Sequence, residues 1–239
     1  MMNIENELKT WCAAESMTIS DEQLLKFQRY AELLVEWNEK MNLTAIVEPH
    51  DIAVKHFIDS ISLLRCVSVP QGASVIDIGT GAGFPGIPLK IMRNDIKLNL
   101  LDSLNKRLTF LQAVCSALEI ESRCIHSRAE DGGRNPQMRE KYDVAVSRAV
   151  ANLPALCEYC LPYVKVGGLF VAMKGPDGAA ELEQSQKAIQ TLGGKVREVI
   201  NITLPDDLQR TIIVINKIEK TAAAYPRRGV KINKQPLKT

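Results

Sequence analysis

Four glycines fall within eight positions of one short stretch, Ser74 to Ile87 (SVIDIGTGAGFPGI), and few folds accept that spacing. Gly79, Gly81, Gly83 and Gly86 follow an apolar run of Val75, Ile76 and Ile78 that a single acid, Asp77, interrupts. Pro85 and Pro88 then open an apolar, helix-like segment. Glycine reaches backbone angles closed to other residues and lets a ligand approach the main chain. Proline is tolerated in a first helical turn, where its missing N–H costs little. The stretch reads as a buried strand, a tight loop and a helix N-terminus, the ligand-binding corner of an open α/β sheet.

Two ligand classes use such a corner. Gly81, Gly83 and Gly86 satisfy the G-x-G-x-x-G dinucleotide pattern, which is weak on its own. Asp77, two residues before Gly79, favours a different ligand. A carboxylate aimed into the loop repels a pyrophosphate and attracts an ammonium, directly or through water. S-adenosylmethionine carries a cationic amino-acid end and a ribose, and fits. Asp102, at the end of the expected second strand, would grip ribose hydroxyls in either ligand. The bland alternative is a loop that only turns the chain.

The remaining segments alternate as a doubly wound sheet requires. Strands are expected at about 74–79, 96–101, 122–126, 142–147, 168–173, 195–203 and 210–217, with helices at 104–118 and about 177–191. A further helix follows Pro85, and Asn152 and Pro154 open another. The last two strands follow one another without a helix, so they pair as a hairpin and one strand runs antiparallel. Upstream, a helix is expected over 20–41, with Ser20 and Gln23 as a capping box and Phe27, Tyr30, Leu34, Trp37 and Met41 on one apolar face. A second helix, about 51–65, places His56 and Asp59 on one face, most simply as a structural pair. The expected organisation is a helical extension over 1–70, a core over 71–218 and a basic tail over 219–239.

In such a sheet a ligand lies across the carboxyl ends of the strands. Polar devices stand at five successive ends: Asp77 with the glycines, Asp102, Ala129 with Glu130, Ser147 with Arg148, and Lys174 with Gly175. Ala129 and Glu130 suit an adenine through a backbone group and a carboxylate. Phe84 either lies against the ligand or packs beneath the helix. Metal is not expected: Cys157 and Cys160 form a lone C-x-x-C, and His50, His56 and His126 are scattered. Six cysteines without a repeated spacing are expected to be reduced thiols of a cytoplasmic protein. No apolar run approaches the roughly 20 residues of a membrane helix. Charge is uneven. Residues 1–50 hold nine acids against four bases, and residues 217–239 hold seven bases against one acid, which points to a polyanion met near the C-terminus or to a solvated tail.

With these residues in view, the chain resembles the RsmG (GidB) family of bacterial 16S ribosomal RNA guanine-N7 methyltransferases. The resemblance rests on Trp37-Asn38, on Met41 to Thr44, and on His56 with Asp59-Ser60. It continues through Asp77 to Gly86, Ser127 to Glu130, Ser147 to Ala149, Lys174-Gly175, Tyr225 to Arg228 and Pro236-Leu237. Thr80, Asp102 and Gly229-Val230 depart from the usual family residues. The resemblance implies a Rossmann-like class I S-adenosylmethionine-dependent fold, with a mostly parallel seven-stranded sheet and N-terminal helices. It implies a donor site at Gly79, Phe84, Ala129, Glu130 and Arg148, to which the residue reading adds Asp77, Gly81, Gly83 and Asp102. The implied target is N7 of guanine 527 in the 530 loop of 16S rRNA, alone or in the 30S subunit; a monomer is expected, apart from the resemblance. N7 carries an in-plane lone pair, so catalysis is alignment and needs no general base. Arg148 and Lys174 are the candidates for positioning the substrate. Arg227, Arg228, Lys231, Lys234 and Lys238 are the candidates for phosphate contact. An NAD-dependent oxidoreductase and a non-catalytic ribosome-assembly factor are the competing readings.

Overall fold

The structure is a computed structural model and describes residues 4–238; the outermost ends of the expected extension and tail, residues 1–3 and 239, lie outside the described residues. Seven strands form one sheet in the order β3-β2-β1-β4-β5-β7-β6. Their bounds are β1 Ser74–Ile78, β2 Lys97–Asp102, β3 Ser122–His126, β4 Tyr142–Arg148, β5 Val164–Lys174, β6 Gly194–Leu204 and β7 Leu208–Lys217. Neighbours from β3 through β5 are parallel, while β7 runs antiparallel to both β5 and β6. The expected hairpin and its single reversed strand are present. β1 lies between β2 and β4, so the chain winds outward in both directions from the glycine loop, and a crevice opens there.

Helices cover both faces. One face packs Phe27, Tyr30, Phe57, Phe110 and Leu111 against β1 and β2; the other packs Leu156, Tyr163, Phe170, Ile189 and Ile232. The Asp21–Met41 helix starts with the expected capping box: the Gln23 N–H donates to Ser20 Oγ at 3.2 Å, and the Ser20 N–H donates to Gln23 Oε1 at 2.8 Å. This helix also anchors the ligand corner, since the Tyr30 hydroxyl donates to the Ala82 carbonyl at 2.5 Å. A Cβ on Gly83 would lie 2.4 Å from that hydroxyl oxygen, which is why the loop needs glycine there.

Four elements depart from the expectation. Ile4–Ala14 is a helix whose Ile4, Leu8, Trp11 and Cys12 are buried. The second upstream helix runs over 49–66, with a π-helical stretch at Ile52–Ile58 that widens its turn beside the site. The helix expected over 177–191 is broken into Gly178–Glu183 and Gln186–Thr191. The basic tail folds into the Gly229–Lys234 helix, with Ile232 fully buried beside Leu153–Cys160.

Candidate active site

The loop after β1 is tied down from below. Asp77 is fully buried, and its Oδ2 accepts hydrogen bonds from the Thr80 hydroxyl at 2.7 Å and the Gly86 N–H at 2.8 Å. Its Oδ1 is buried without a hydrogen-bond partner among the described residues. Burial pushes the Asp77 carboxyl up to about 6, against the pull of those two donors. The acid therefore holds the glycine loop from beneath and presents one unsatisfied oxygen. Gly79 has φ +69, and a Cβ there would lie 2.5 Å from the Val150 side chain.

A cavity of about 420 Å³ spans the carboxyl ends of β1, β2 and β3, with Gly79, Asp102, Ala129 and Glu130 in its wall. Asp102 closes its near end. Its Oδ2 accepts from the Gly81 N–H at 3.0 Å and from Arg107 Nη1 at 3.2 Å, and its Oδ1 accepts from the Leu104 N–H at 2.9 Å. At the far end the Tyr163 hydroxyl donates to the Ala129 carbonyl at 2.7 Å and steadies the turn that presents Glu130. Tyr159 and Asn233 also line the cavity, the second coming from the tail helix.

A second cavity of about 450 Å³ adjoins the first, and Ala149 lines both. Its charged groups include Lys55, Asp59, Arg148, Lys174 and Arg210. Asp59 is the hub. Its Oδ2 accepts from Arg148 Nη1 at 2.8 Å, and its Oδ1 accepts from Arg210 Nε at 3.0 Å. Arg148 Nη1 also donates to the Lys55 carbonyl at 3.0 Å, and its guanidinium lies over the Phe84 ring at 5.1 Å. His56 stacks flat on Phe84, with centroids 4.3 Å apart at 12°. His56 Nε2 lies 3.0 Å from the Thr44 hydroxyl, and His56 Nδ1 lies 3.3 Å from Arg148 Nη2. Burial, and then the Arg148 charge, lower the imidazole to about 3, so it is neutral. Lys174 donates to the Ala151 carbonyl at 2.9 Å and pairs with Glu181 at 2.9 Å.

Gly79, Asp102, Ala129 and Glu130 thus meet around one cavity, with Gly81 hydrogen-bonded to Asp102 and Gly83 set behind the loop. Four placements differ from the expectation. Asp77 does not line the cavity: its carboxylate is buried under the loop, where the Thr80 hydroxyl and the Gly86 N–H hold it. Phe84 is buried between His56 and Tyr30, because the loop turns it into the aromatic cluster of the helical face. Arg148 faces the second cavity, drawn there by Asp59. Arg227 is held by Glu158, which is fully buried, through Nε to Oε1 at 2.9 Å and Nη2 to Oε2 at 2.7 Å. It is a tail clamp, and Arg228, Lys231, Lys234 and Lys238 remain exposed. Sequence reasoning missed Arg107, Asn233 and Arg210. Nothing local marks them: Arg107 lies five residues past Asp102 across a strand–helix turn, and Arg210 and Asn233 arrive from β7 and the tail.

Comparison with known proteins sets this geometry in a family. A profile of the GidB family, described as rRNA small subunit methyltransferase G, matches residues 23–213. The chain belongs to the GidB family. Ribosomal RNA small subunit methyltransferase G of Clostridium botulinum (strain Loch Maree / Type A3) is 48% identical over 239 residues, covering 99% of this chain and 100% of that protein. The protein of the same name from Alkaliphilus oremlandii (strain OhILAs) is also 48% identical over 239 residues, with the same coverage. Among solved structures, TrmN from Thermus thermophilus shares the fold with a TM-score of 0.52 at 16% identity, covering 66% of this chain and 48% of that one. The fold is that of class I S-adenosylmethionine-dependent methyltransferases. The residues of this GidB chain fit that donor. Asp77 Oδ1 is a buried, unsatisfied carboxylate oxygen beneath the glycine loop and outside the cavity lining, while Asp102 and Glu130 line the cavity and offer carboxylate acceptors to a ribose and an aminopurine.

Proposed function

We propose that this GidB-family methyltransferase methylates N7 of guanine 527 in the 530 loop of 16S rRNA, acting in the cytoplasm as a monomer on the RNA or the 30S subunit. The observation that supports the reading is the pair of cavities meeting at Ala149: Asp102 and Glu130 stand with Arg107 and Arg128 in the first, and Lys55, Arg148, Lys174 and Arg210 stand with Asp59, Asp177 and Glu181 in the second. S-adenosylmethionine supplies an electrophilic methyl group in the first. Gly79, Asp102, Ala129 and Glu130 hold the donor there, and the second cavity receives an unstacked purine.

N7 of guanine carries its lone pair in the ring plane, so attack on the methyl carbon requires no prior deprotonation. His56 is accordingly not a base in this scheme: it is neutral, hydrogen-bonded and stacked on Phe84, and it stiffens the floor under Arg148. Alignment is the chain's contribution. Arg148 and Arg210 are locked on Asp59, which fixes the direction of their remaining N–H groups at the cavity wall. Those groups and Lys174 position the target nucleotide and its flanking phosphates. The deep groove of an RNA duplex is closed to side chains, so the base must be presented in an open loop. Arg228, Lys231, Lys234 and Lys238 add phosphate contacts from the exposed face of the tail, with the salt dependence that such contacts carry.

Mass-spectrometric mapping of 16S rRNA treated with the protein and labelled donor tests the proposal. The expected result is one 7-methylguanosine at position 527, absent with a Gly79→Asp variant. Incorporation at another base, or none into either rRNA or 30S particles, overturns it.

A further inference from the structure

The tail helix does more than rest on the core; it finishes the donor cavity. Gly229–Lys234 is pinned at its start by the Arg227–Glu158 pair, whose carboxylate also accepts from the Arg227 N–H at 2.7 Å. Ile232 fills a fully buried position one residue before Asn233. Gly229 presses so closely on Glu130 that a Cβ there would lie 2.1 Å from Oε1. The Tyr159 hydroxyl donates to Asn233 Oδ1 at 3.0 Å. Tyr159, Asn233 and Glu130 therefore line one cavity together, and Glu130 follows β3, two strands away from the glycine loop after β1.

We propose that the Asn233 carboxamide is a specificity-determining residue for the adenine of the methyl donor. Because Tyr159 occupies Oδ1 as donor, the amide is oriented and its Nδ2–H₂ group is left to point at the base. An adenine ring nitrogen, N1 or N7, accepts that hydrogen bond. Glu130, beside it, accepts from the exocyclic amino group. Together they match the donor–acceptor pattern of an adenine edge, and a base lacking either partner leaves a polar group of the wall unpaired. The inference rests on the first cavity being the donor site, and places the tail on the cofactor side of the reaction.

The test is binding, independent of turnover. Affinities for S-adenosylhomocysteine and its 1-deaza and 7-deaza analogues are measured by calorimetry on the full chain and on Asn233→Ala. The wild type should bind one of the two analogues about fivefold more weakly than the parent. Asn233→Ala should bind the parent about fivefold more weakly and lose that discrimination. Tyr159→Phe, which frees the amide to rotate, should reduce the discrimination while retaining the fold, as judged by its melting curve. Equal discrimination in wild type and Asn233→Ala overturns the proposal. If S-adenosylhomocysteine fails to bind the wild type at all, the donor-site reading itself fails, which is a separate result.

Discussion

His56 makes stability depend on pH in a direction that can be worked out in advance. In the folded protein Arg148 Nη2 faces Nδ1, so that nitrogen must be an acceptor; Nε2 then carries the hydrogen and donates to the Thr44 hydroxyl. Protonation would set an Nδ1–H against a guanidinium in a buried site. The imidazole is thus held down at about 3, against an ordinary value of 6.5. Above pH 6.5 neither the folded nor the unfolded chain carries this proton, and the group has no effect. Below it the unfolded chain takes up the proton and the folded chain does not, so stability falls as pH falls, down to about 3. At pH 5 the window spans 1.5 units, which at about 1.4 kcal/mol per unit amounts to about 2 kcal/mol. The assay is urea unfolding followed by tryptophan fluorescence at pH 7 and pH 5. Asp77, held up at about 6, works in the opposite sense over part of this window, gaining stability as pH falls, so two proteins must be compared. His56→Gln keeps a hydrogen-bonding amide near the Nε2 position and cannot titrate. Its loss of stability from pH 7 to pH 5 should be smaller than that of the wild type by about 2 kcal/mol. Parallel pH curves for the two proteins would refute the assignment of a neutral, Arg148-facing imidazole.

Other outcomes follow from the same geometry. Arg227→Ala leaves the buried Glu158 carboxylate unpaired and should cost about 3–5 kcal/mol in denaturant unfolding, with much of the loss restored by adding Glu158→Gln. Gly79→Ala forces a left-handed backbone on a residue with a Cβ and pushes on Val150; a loss of about 1 kcal/mol or more in thermal stability, with weaker S-adenosylmethionine binding by calorimetry, is expected. Asp102→Asn should weaken donor binding by about tenfold in calorimetry and also cost about 1–3 kcal/mol in denaturant unfolding, since the two carboxylate oxygens accept from different backbone N–H groups and the amide nitrogen would face one of them. Asp59→Ala strips the partner from both Arg148 and Arg210 and should reduce methyl transfer to rRNA far more than donor affinity.

The glycine spacing, the alternation of apolar runs and the proline positions were enough to predict a doubly wound sheet, its reversed strand and the corner where a ligand sits, because these are properties of local backbone geometry. The same local rules announced the Ser20–Gln23 capping box, which is present atom for atom. They failed on the Ile4–Ala14 helix, whose Ile4, Leu8, Trp11 and Cys12 spacing was legible but sits in a polar stretch. Strand ends told which residues would gather, and Gly79, Asp102, Ala129 and Glu130 do meet around one cavity. Strand ends could not tell which way each side chain would turn. Arg148 faces away from that cavity because Asp59 on a distant helix captures it, and Arg227 turns inward because the buried Glu158 carboxylate binds its guanidinium. Such pairings join residues 89 and 69 positions apart, and burial of a carboxylate imposes them only after the helices have packed. Charge counting alone could not distinguish a solvated basic arm from a docked helix. Ile232 decides the matter by disappearing into the core, and it carries Asn233 to the rim of the cavity that Gly79, Asp102 and Glu130 line.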